Sequence, residues 1–384
     1  MRFSFNALLL RSDAAGIGTL IRGLLHGLGD VGASHEWVVY LRPGVSKAVE
    51  LPRWEGCRYV EIPGARMKAG RVAMELFGLP AYDRRFGVDV AYSPTSYLPL
   101  TQGVPAVATV VDFCWLRVPH AVPGWRRLSL RLRMERSLLR AAGIATISET
   151  MRRELLARYG AQLRAPVCAT PLGVGPAFFA ARALPQTGAR ARYGAAGTLI
   201  LASGGTDPRK DVESLVRACK LLPREILQDA RVMVIGPRSR RAEQAILSAV
   251  NEEVASKIRF TGFIPLAEVL ELFACASLFV YSTLDEGFGL PVLEAMAAGV
   301  PVVCSDLEVL REVGGDTVIY TPMRDPAALA RMMLIPLLDR ALAEDLAARA
   351  RERAATFTWA RTAERLLTLF AQTLAGMDAA ARPA

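Results

Sequence analysis

The sequence lacks any apolar run of the about 20 residues that a membrane-spanning helix requires. The longest candidate, residues 272–284, is shorter and contains serine and tyrosine. The N-terminus combines one arginine with a short apolar segment that ends at Arg11, which favours a buried first strand over a signal peptide. We therefore expect a cytoplasmic protein, with peripheral contact to the inner face of the membrane as a further expectation.

Cysteine and histidine are both scarce. The six cysteines stand far apart without a C-x-x-C pair, there are three histidines, and no D-x-D sequence occurs in a loop. These absences argue against a disulfide framework and against a metal site. We expect small core thiols in a reducing cytosol, no metal ion and no cofactor.

Positive charge is concentrated in the first half of the chain. Residues 1–175 hold 23 Lys+Arg and 13 Asp+Glu, which gives +10, whereas the remaining residues hold 24 of each, so that the whole net charge of +10 lies in the first half. Seven arginines fall within residues 117–140. This basic, amphipathic stretch can lie against an anionic membrane or ligand, and the alternative is a solvated helix. No groove-reading motif accompanies the charge, so nucleic acid is not expected as a partner.

Length and composition predict two α/β domains. The 384 residues exceed one ordinary core, and a composition of 52% apolar and 22% charged residues is that of a folded protein. Apolar strands alternate with amphipathic helices over residues 2–160, and the alternation starts again at residue 198. Such alternation is typical of parallel, doubly wound sheets. Residues 170–197 are rich in Gly, Pro and Ala without a period, which predicts an interdomain linker.

The segment with most chemical information is DEGFGLPVLEAMAAGVPVVCSD, residues 285–306. Glu286 follows a predicted strand, Gly287, Phe288 and Gly289 lead into a helix, and Glu294 lies two turns into that helix. Glycines let backbone N–H groups approach an anion at a helix N-terminus. Two carboxylates at one crevice can accept hydrogen bonds from the paired hydroxyls of sugars and riboses. The alternative is a surface helix with two solvated glutamates.

This segment resembles the E-x7-E signature of glycosyltransferase family 4, whose members are retaining enzymes with two Rossmann-like domains facing across a cleft, the GT-B fold. The resemblance implies that Glu286 contacts the donor sugar and that Glu294 holds the donor ribose. It also implies that backbone groups of Gly287, Phe288, Gly289 and Leu290 line the sugar and phosphate end of the site.

A second motif is LASGGTDPRKDVESLVRA, residues 201–218, in which a turn at Gly204 and Gly205 precedes Arg209 and Lys210. Two adjacent cations after such a turn can neutralise a diphosphate, although a surface Arg-Lys pair would be the alternative. Family 4 has a similar turn followed by Pro-Arg-Lys, whose cations bind the nucleotide diphosphate. This chain lacks the turn arginine of some members, so Arg209 and Lys210 carry the charge alone. The turn looks like that of mannosyl- or rhamnosyl-transferring members of bacterial surface polysaccharide synthesis, which favours a GDP-sugar.

The first half carries weaker likenesses. Gly16 and Gly18 follow the first strand in an incomplete dinucleotide fingerprint, which resembles the family loop at the diphosphate and sugar; a tight structural turn is the alternative. The stretch ATVVDFCWLRVP resembles the family's acceptor-side segment: Asp112 matches, whereas Val111 stands in place of a histidine. Acceptor-side catalysis would then shift to Asp112 or to substrate groups.

Further resemblances extend over the rest of the chain. RFTGFIPLAEVLELF resembles the base-binding region, with Phe263 and Ile264 near the base, and TFTWARTAERLLTLF resembles a helix that crosses back to the first domain. The resemblance implies an acceptor-binding domain at 1–175 plus a helix at about 360–384, and a donor-binding domain at 176–359.

The implied reaction is hexose transfer with retained configuration, by same-face attack without a metal. The implied partners are a nucleotide-diphosphate sugar and a glycan or polyprenyl-diphosphate-linked acceptor. Glu286, Lys210, Arg209 and Asp112 are the catalytic candidates. Three alternatives stay open: a non-catalytic nucleotide-sugar-binding subunit, a nucleotide-sugar 2-epimerase and a phosphorylase of the same architecture. The defective fingerprint disfavours a nicotinamide dehydrogenase.

Overall fold

The computed structural model of the chain describes residues 1–11, 16–32, 34–118, 123–194 and 197–381. Contacts divide the chain into two compact units. The first unit comprises Met1–Trp115, Val122–Gly173 and Phe357–Ala384, and the second comprises Leu116–Ala121 and Val174–Thr356. Each unit is built on one parallel sheet.

The strands of the first sheet are β1 (Arg2–Asn6), β2 (Glu36–Leu41), β3 (Cys57–Glu61), β4 (Val90–Ser93), β5 (Ala106–Val110), β6 (Gly143–Thr146) and β7 (Val167–Ala169). Those of the second sheet are β8 (Leu199–Ser203), β9 (Arg231–Ile235), β10 (Ile258–Gly262), β11 (Leu278–Tyr281), β12 (Val302–Ser305) and β13 (Ile319–Thr321).

The helices up to the end of β7 are α1 (Ile17–Val31), α2 (Val45–Ala48), α3 (Lys68–Ala73), α4 (Leu79–Phe86), α5 (Cys114–Arg117), α6 (Gly124–Arg140) and α7 (Glu149–Tyr159). Those that follow are α8 (Pro176–Phe179), α9 (Thr187–Tyr193), α10 (Val212–Cys219), α11 (Arg224–Asp229), α12 (Arg240–Leu247), α13 (Glu252–Ala255), α14 (Leu266–Cys275), α15 (Leu290–Ala297), α16 (Glu308–Gly314), α17 (Pro326–Leu338), α18 (Arg340–Ala354) and α19 (Trp359–Ala381).

The first sheet has the strand order β3-β2-β1-β4-β5-β6-β7. All residues of β5 are buried, as are the last five of β2, because helices cover both faces of a parallel sheet. Helix α7 begins at Glu149, since the Ser148 hydroxyl accepts the N–H of Met151 at 3.1 Å and so caps the first turn.

The C-terminal helix α19 belongs to the first unit. Helix α1 passes so close to it that a Cβ at Gly23 or Gly27 would overlap Trp359. Further along α19, the Phe370 ring stacks on Phe3 of β1 with the ring centroids 4.8 Å apart. Close approach through glycines and aromatic burial fix this helix on the first sheet, which confirms the expected return of the chain.

The second sheet has the strand order β10-β9-β8-β11-β12-β13. Its core on one face combines apolar residues of the central strands, such as Ile200, Val232 and Val280, with Leu215 of α10 and Met333 of α17. Strands buried on both faces explain the continuous apolar runs of this half of the sequence.

Several elements were not predicted from the sequence. Residues 176–193, within the segment expected as an interdomain linker, form α8 and α9 with a short helical turn between them. Residues 326–354 form two helices, since Asp339 ends α17 and caps α18 by accepting the N–H of Leu342. Strands β7 and β13, each of three residues, are too short to show a period and were not predicted.

Within the described residues, no helix combines the length and apolar character needed to cross a membrane. Cys219, Cys275 and Cys304 are buried free thiols, and Cys57 and Cys168 are partly exposed.

Candidate functional site

The order in which the chain adds strands to the second sheet reverses between β8 and β11. From β8 the chain adds β9 and β10 on one side, and β11, β12 and β13 are added on the other. In open parallel sheets ligands bind outside the carboxyl ends of the strands at such a switch point. The loops that follow β8 and β11 meet there: the Leu284 N–H donates to the Arg209 carbonyl at 2.8 Å, and the Ser282 hydroxyl donates to the Asp211 carbonyl at 3.0 Å.

Glycines shape the loop after β8. Gly205 has φ +56°, and a Cβ there would overlap the Pro237 carbonyl. Its N–H donates to the Ile235 carbonyl at 3.0 Å, and so does that of Gly204 at 2.8 Å. The amide of Gly205 is therefore engaged within the protein, and the glycines contribute a tight turn that brings the following Arg209 and Lys210 back to the sheet edge.

Lys210 and Glu286 form an ion pair. The Lys210 ammonium donates to the Glu286 carboxylate and, at 2.9 Å, to the Tyr281 hydroxyl, which itself donates to the same carboxylate oxygen. Burial, then the charge of Glu286, raises the pKa of Tyr281 well above its usual range, so this hydroxyl stays protonated. The loop carboxylate is held by these donors from two neighbouring strand ends, and the Thr283 hydroxyl lies 3.4 Å from the same oxygen.

Arg209 is paired as well. Its guanidinium donates to the Asp207 carboxylate at 2.7 Å, and the Asp207 carboxylate also accepts the Arg209 backbone N–H at 3.0 Å. Burial by itself would raise the pKa of Asp207, but the hydrogen bonds and charge of Arg209 outweigh it and lower the pKa. Asp207, which caps the short helical turn Pro208–Lys210, thus holds Arg209 in place.

Glu294 lies on the first turns of α15, whose start is set by Gly289 at φ +106°. The helix begins at Leu290, so Glu294 stands just beyond one turn into it, not two as expected. Burial raises the pKa of the Glu294 carboxyl to about 8. Among the described residues no hydrogen bond to this carboxyl is found. The charges of Glu286 and Glu294 both act on the Tyr281 hydroxyl, as does that of Arg209, so these groups share one neighbourhood.

A second cation, not anticipated from the sequence, reaches the same loop. Arg117, the last residue of α5, forms an ion pair with Asp285 at 2.6 Å and donates to the Glu286 carbonyl at 3.1 Å. Tyr281 and Asp285 were also missed. Tyr281 ends an apolar strand, where it resembles core, and Arg117 is 169 residues from Glu286 along the chain.

The backbone candidates of the loop have mixed surroundings. Gly287, Phe288 and Gly289 are buried and Leu290 is partly exposed, and the Phe288 side chain is in the core with 2% exposure. Phe263 and Ile264 follow β10 at the far edge of the sheet, where the Phe263 side chain is 60% exposed. No contact of the described residues joins Phe263 or Ile264 to Glu286.

The remaining candidates belong to the first unit. Gly16 has φ +61° and precedes α1, in which Gly18 is buried. Asp112 follows β5, and its carboxylate accepts the Cys114 N–H at 3.1 Å at the start of α5. Residues 12–15 of the predicted glycine-rich loop lie outside the described residues. In the described part of the chain, no three His, Cys, Asp or Glu side chains are grouped so as to hold a metal ion.

The second half of the chain resembles known glycosyltransferases. Residues 194–353 match the family described as Glycosyl transferases group 1. The chain is 37% identical over 158 residues to O-antigen chain mannosyltransferase B of Escherichia coli, a match that covers 41% of this chain and 41% of that relative. The chain therefore spans about two-fifths of the length of this curated relative.

Solved structures extend the likeness to the whole fold. Sucrose-phosphate synthase from Thermosynechococcus elongatus superposes with a TM-score of 0.76 at 20% identity, over 98% of this chain and 99% of that one. WaaG, a glycosyltransferase involved in lipopolysaccharide biosynthesis, gives 0.70 at 19% identity, over 95% and 98%. The fold is thus GT-B, as expected, and within it residues 194–353 are the part that matches the Glycosyl transferases group 1 family.

Proposed function

We propose that the protein is a glycosyltransferase that takes a hexose from a nucleotide-diphosphate sugar and transfers it to a glycan. The observation that carries the proposal is the grouping of Lys210, Glu286 and Tyr281, with Arg209 and Glu294, at the switch point of the second sheet. The donor would bind to the second unit, and the acceptor to the first.

The hydrogen-bonding capacity of Lys210 fits a diphosphate ligand. An ammonium has three N–H donors. Two are directed to Glu286 and Tyr281, which leaves one for a phosphate oxygen. With Arg209 beside it, this cation stabilises charge that develops on the departing diphosphate, which is the largest electrostatic change in such a transfer.

We assign Glu286 to the donor sugar. It is partly buried and held by fixed donors, so it can accept hydroxyl hydrogen bonds without reorganising and stabilise an oxocarbenium-like sugar. We propose same-face attack, in which the departing diphosphate oxygen takes the proton of the acceptor hydroxyl. This route requires no protein nucleophile, retains the configuration of the sugar and needs no metal ion.

Similarity supports the choice of sugar. The matched relatives include O-antigen chain mannosyltransferase B and the serotype-specific mannosyltransferase WbdA of Escherichia coli. We propose mannose, with rhamnose as the second choice, from a GDP-sugar, and an acceptor that is a glycan or a polyprenyl-diphosphate-linked glycan. Incubation with GDP-, UDP- and ADP-sugars, read out by release of the nucleoside diphosphate with and without acceptor, tests the donor.

Activity of a lysine variant tests the site. Lys210→Ala should lower kcat at least about tenfold, because a charge-stabilising contact of the transition state contributes on the order of 2 kcal/mol or more. Lys220→Ala, an exposed lysine at the end of α10, is the matched control and should keep full turnover. Full turnover of Lys210→Ala would contradict the diphosphate assignment.

Product analysis separates the alternatives. A transferase gives a glycoside with the donor's anomeric configuration, visible by NMR. A nucleotide-sugar 2-epimerase would convert the donor without any acceptor, and a non-catalytic binding subunit would be stabilised by the nucleotide yet leave the donor intact. Full activity in a chelator is expected, and a strict need for a divalent ion would contradict the metal-free route.

We also propose that α6 contacts an anionic membrane. Its buried side includes Met134 and Leu138, yet a second apolar stripe faces outward at residues 125, 128, 132 and 139, a spacing that places them on one side of a helix. These are Trp125 with 77% exposure and Leu128, Leu132 and Leu139 with 57%, 56% and 53%. Six arginines and one glutamate share the helix. Apolar anchors flanked by arginines are typical of helices that lie on anionic bilayers.

Vesicle co-sedimentation tests this contact. The protein should bind phosphatidylglycerol-containing vesicles at low salt, less at high salt, and phosphatidylcholine vesicles weakly. Leu128→Glu/Leu132→Glu should lose binding, whereas Leu338→Glu, at a leucine with 71% exposure in the second unit, should not. A wild type that stays in the supernatant with anionic vesicles at low salt would end this proposal.

A further inference from the structure

The backbone of the Asp285–Glu286 loop is held by Arg117. The Asp285 side chain has only 4% exposure, and its carboxylate meets the Arg117 guanidinium at 2.6 Å. The same guanidinium donates to the Glu286 carbonyl at 3.1 Å. One side chain thus binds two consecutive residues, first through a carboxylate and then through a main-chain oxygen.

Glu286 is therefore held at two points. Lys210, in the loop after β8, and Tyr281, the last residue of β11, orient its carboxylate. Arg117 orients its carbonyl. The Thr283 hydroxyl donates to the preceding carbonyl, that of Asp285, at 3.1 Å, so that Arg117 continues a series of donors along this backbone. Two fixed points determine where the carboxylate lies.

The chemistry of arginine suits this task. A guanidinium carries five N–H donors in a rigid plane, so it can serve a carboxylate and a carbonyl together, whereas an ammonium is a point charge. The contact is also sheltered, since the Arg117 side chain has 28% exposure beside a buried carboxylate. An ion pair so placed is screened much less than a surface pair.

Resting on the proposed transfer reaction, we propose that Arg117 is a positioning residue. It fixes the Asp285–Glu286 backbone, so that the Glu286 carboxylate meets the donor sugar in the geometry of the transition state. Arg117 itself need not touch the donor. Its loss should therefore lower kcat more than it changes the KM for the donor.

A double-variant cycle tests this role. Arg117→Ala leaves the buried Asp285 carboxylate without its guanidinium, which should lower Tm as well as activity. Adding Asp285→Asn removes that charge, so Arg117→Ala/Asp285→Asn should regain much of the lost Tm. Because the Glu286 carbonyl still lacks its donor, kcat should stay at least about tenfold below wild type, with the donor KM changed by less than about threefold.

The recovery of kcat relative to that of Tm in the double variant distinguishes a positioning role from a structural one. If kcat returns together with Tm in the double variant, the role of Arg117 is structural only, and the proposal is overturned. Compared with Arg117→Ala, the Arg117→Lys variant should recover more of the lost Tm than of the lost kcat. The control is Arg340→Ala, which breaks the exposed Arg340–Glu344 pair and should change neither quantity. If the wild type transfers sugar from none of the donors, the proposed function and this role are overturned together. If the wild type and Arg117→Ala both transfer normally, this role alone is overturned.

Discussion

We predict that donor binding releases a proton from the Glu294 carboxyl. Burial raises its pKa to about 8, so about nine-tenths of the molecules carry a proton on Glu294 at pH 7. A protonated carboxyl keeps a donor on one oxygen, whereas the carboxylate accepts on both. If the two ribose hydroxyls of the donor bind this group, as the family resemblance implies, they stabilise the charged form and lower its pKa.

The magnitude follows from the pKa. Full ionisation of Glu294 on binding would release about 0.9 proton per donor at pH 7. The donor would bind about tenfold more weakly at pH 7 than at pH 9, a difference of about 1.4 kcal/mol. Donor affinity must rise with pH, because the bound state favours the unprotonated form of Glu294.

Titration calorimetry with an intact nucleotide sugar measures the release. Its diphosphate is esterified at both ends and has no proton that titrates near pH 7, so the protein alone supplies the signal. The apparent binding enthalpy should differ between phosphate and Tris buffers by the buffers' difference in ionisation enthalpy times the protons released. In Glu294→Gln the difference between buffers should vanish and the donor should bind more weakly. Equal enthalpies in both buffers for the wild type would refute the reasoning.

Other predictions concern stability and the acceptor. Glu294→Gln should flatten the decline in Tm that the wild type shows as pH rises from about 4.5 to about 8, because a raised folded-state pKa stabilises the protein only at low pH. Gly289→Ala should destabilise by about 1–3 kcal/mol in urea unfolding, since φ is +106° and a Cβ would lie 2.5 Å from Leu310. Ser148→Ala should cost about 1 kcal/mol through the lost cap of α7. Thr95→Val, in the loop after β4, should raise the acceptor KM and leave the donor KM unchanged.

The parts of the site that could be predicted are those with local signals. Glu286, Gly289 and Glu294 lie within nine residues of each other, so a strand end, a turn and a helix start place them together without knowledge of the rest of the fold. The pairing of Lys210 with Glu286 was predicted only as a shared crevice, because it depends on β8 lying next to β11. Sheet order is a tertiary property that no single segment encodes.

The parts that could not be predicted depend on distant contacts or weak patterns. Tyr281 ends an apolar segment that is typical of a buried strand. Its hydroxyl becomes part of the site because Lys210, in the loop after the neighbouring strand, donates to it. Arg117 is one of seven arginines in a basic stretch, and its contact with Asp285 depends on a residue 168 positions away that no local pattern indicates. The helices of residues 176–193 were missed because Gly, Pro and Ala obscure the period that usually identifies a helix.

The two sheets share one arrangement, and this extends the argument to the first unit. In each sheet the first strand lies between the second and the fourth, so each has a switch point: β8 beside β11, and β1 beside β4. In the second unit the site residues follow those two strands. By the same reasoning, we expect the loops after β1 and β4 to form the binding edge of the first unit. The β4 loop is rich in hydroxyls, where the Ser93 and Thr95 hydroxyls lie 3.0 Å apart and the Ser96 hydroxyl donates to the Thr109 carbonyl at 3.3 Å. A polyhydroxyl acceptor needs donors and acceptors of this kind, which is why Thr95, partly exposed between two buried serines, is the residue where acceptor affinity should respond first.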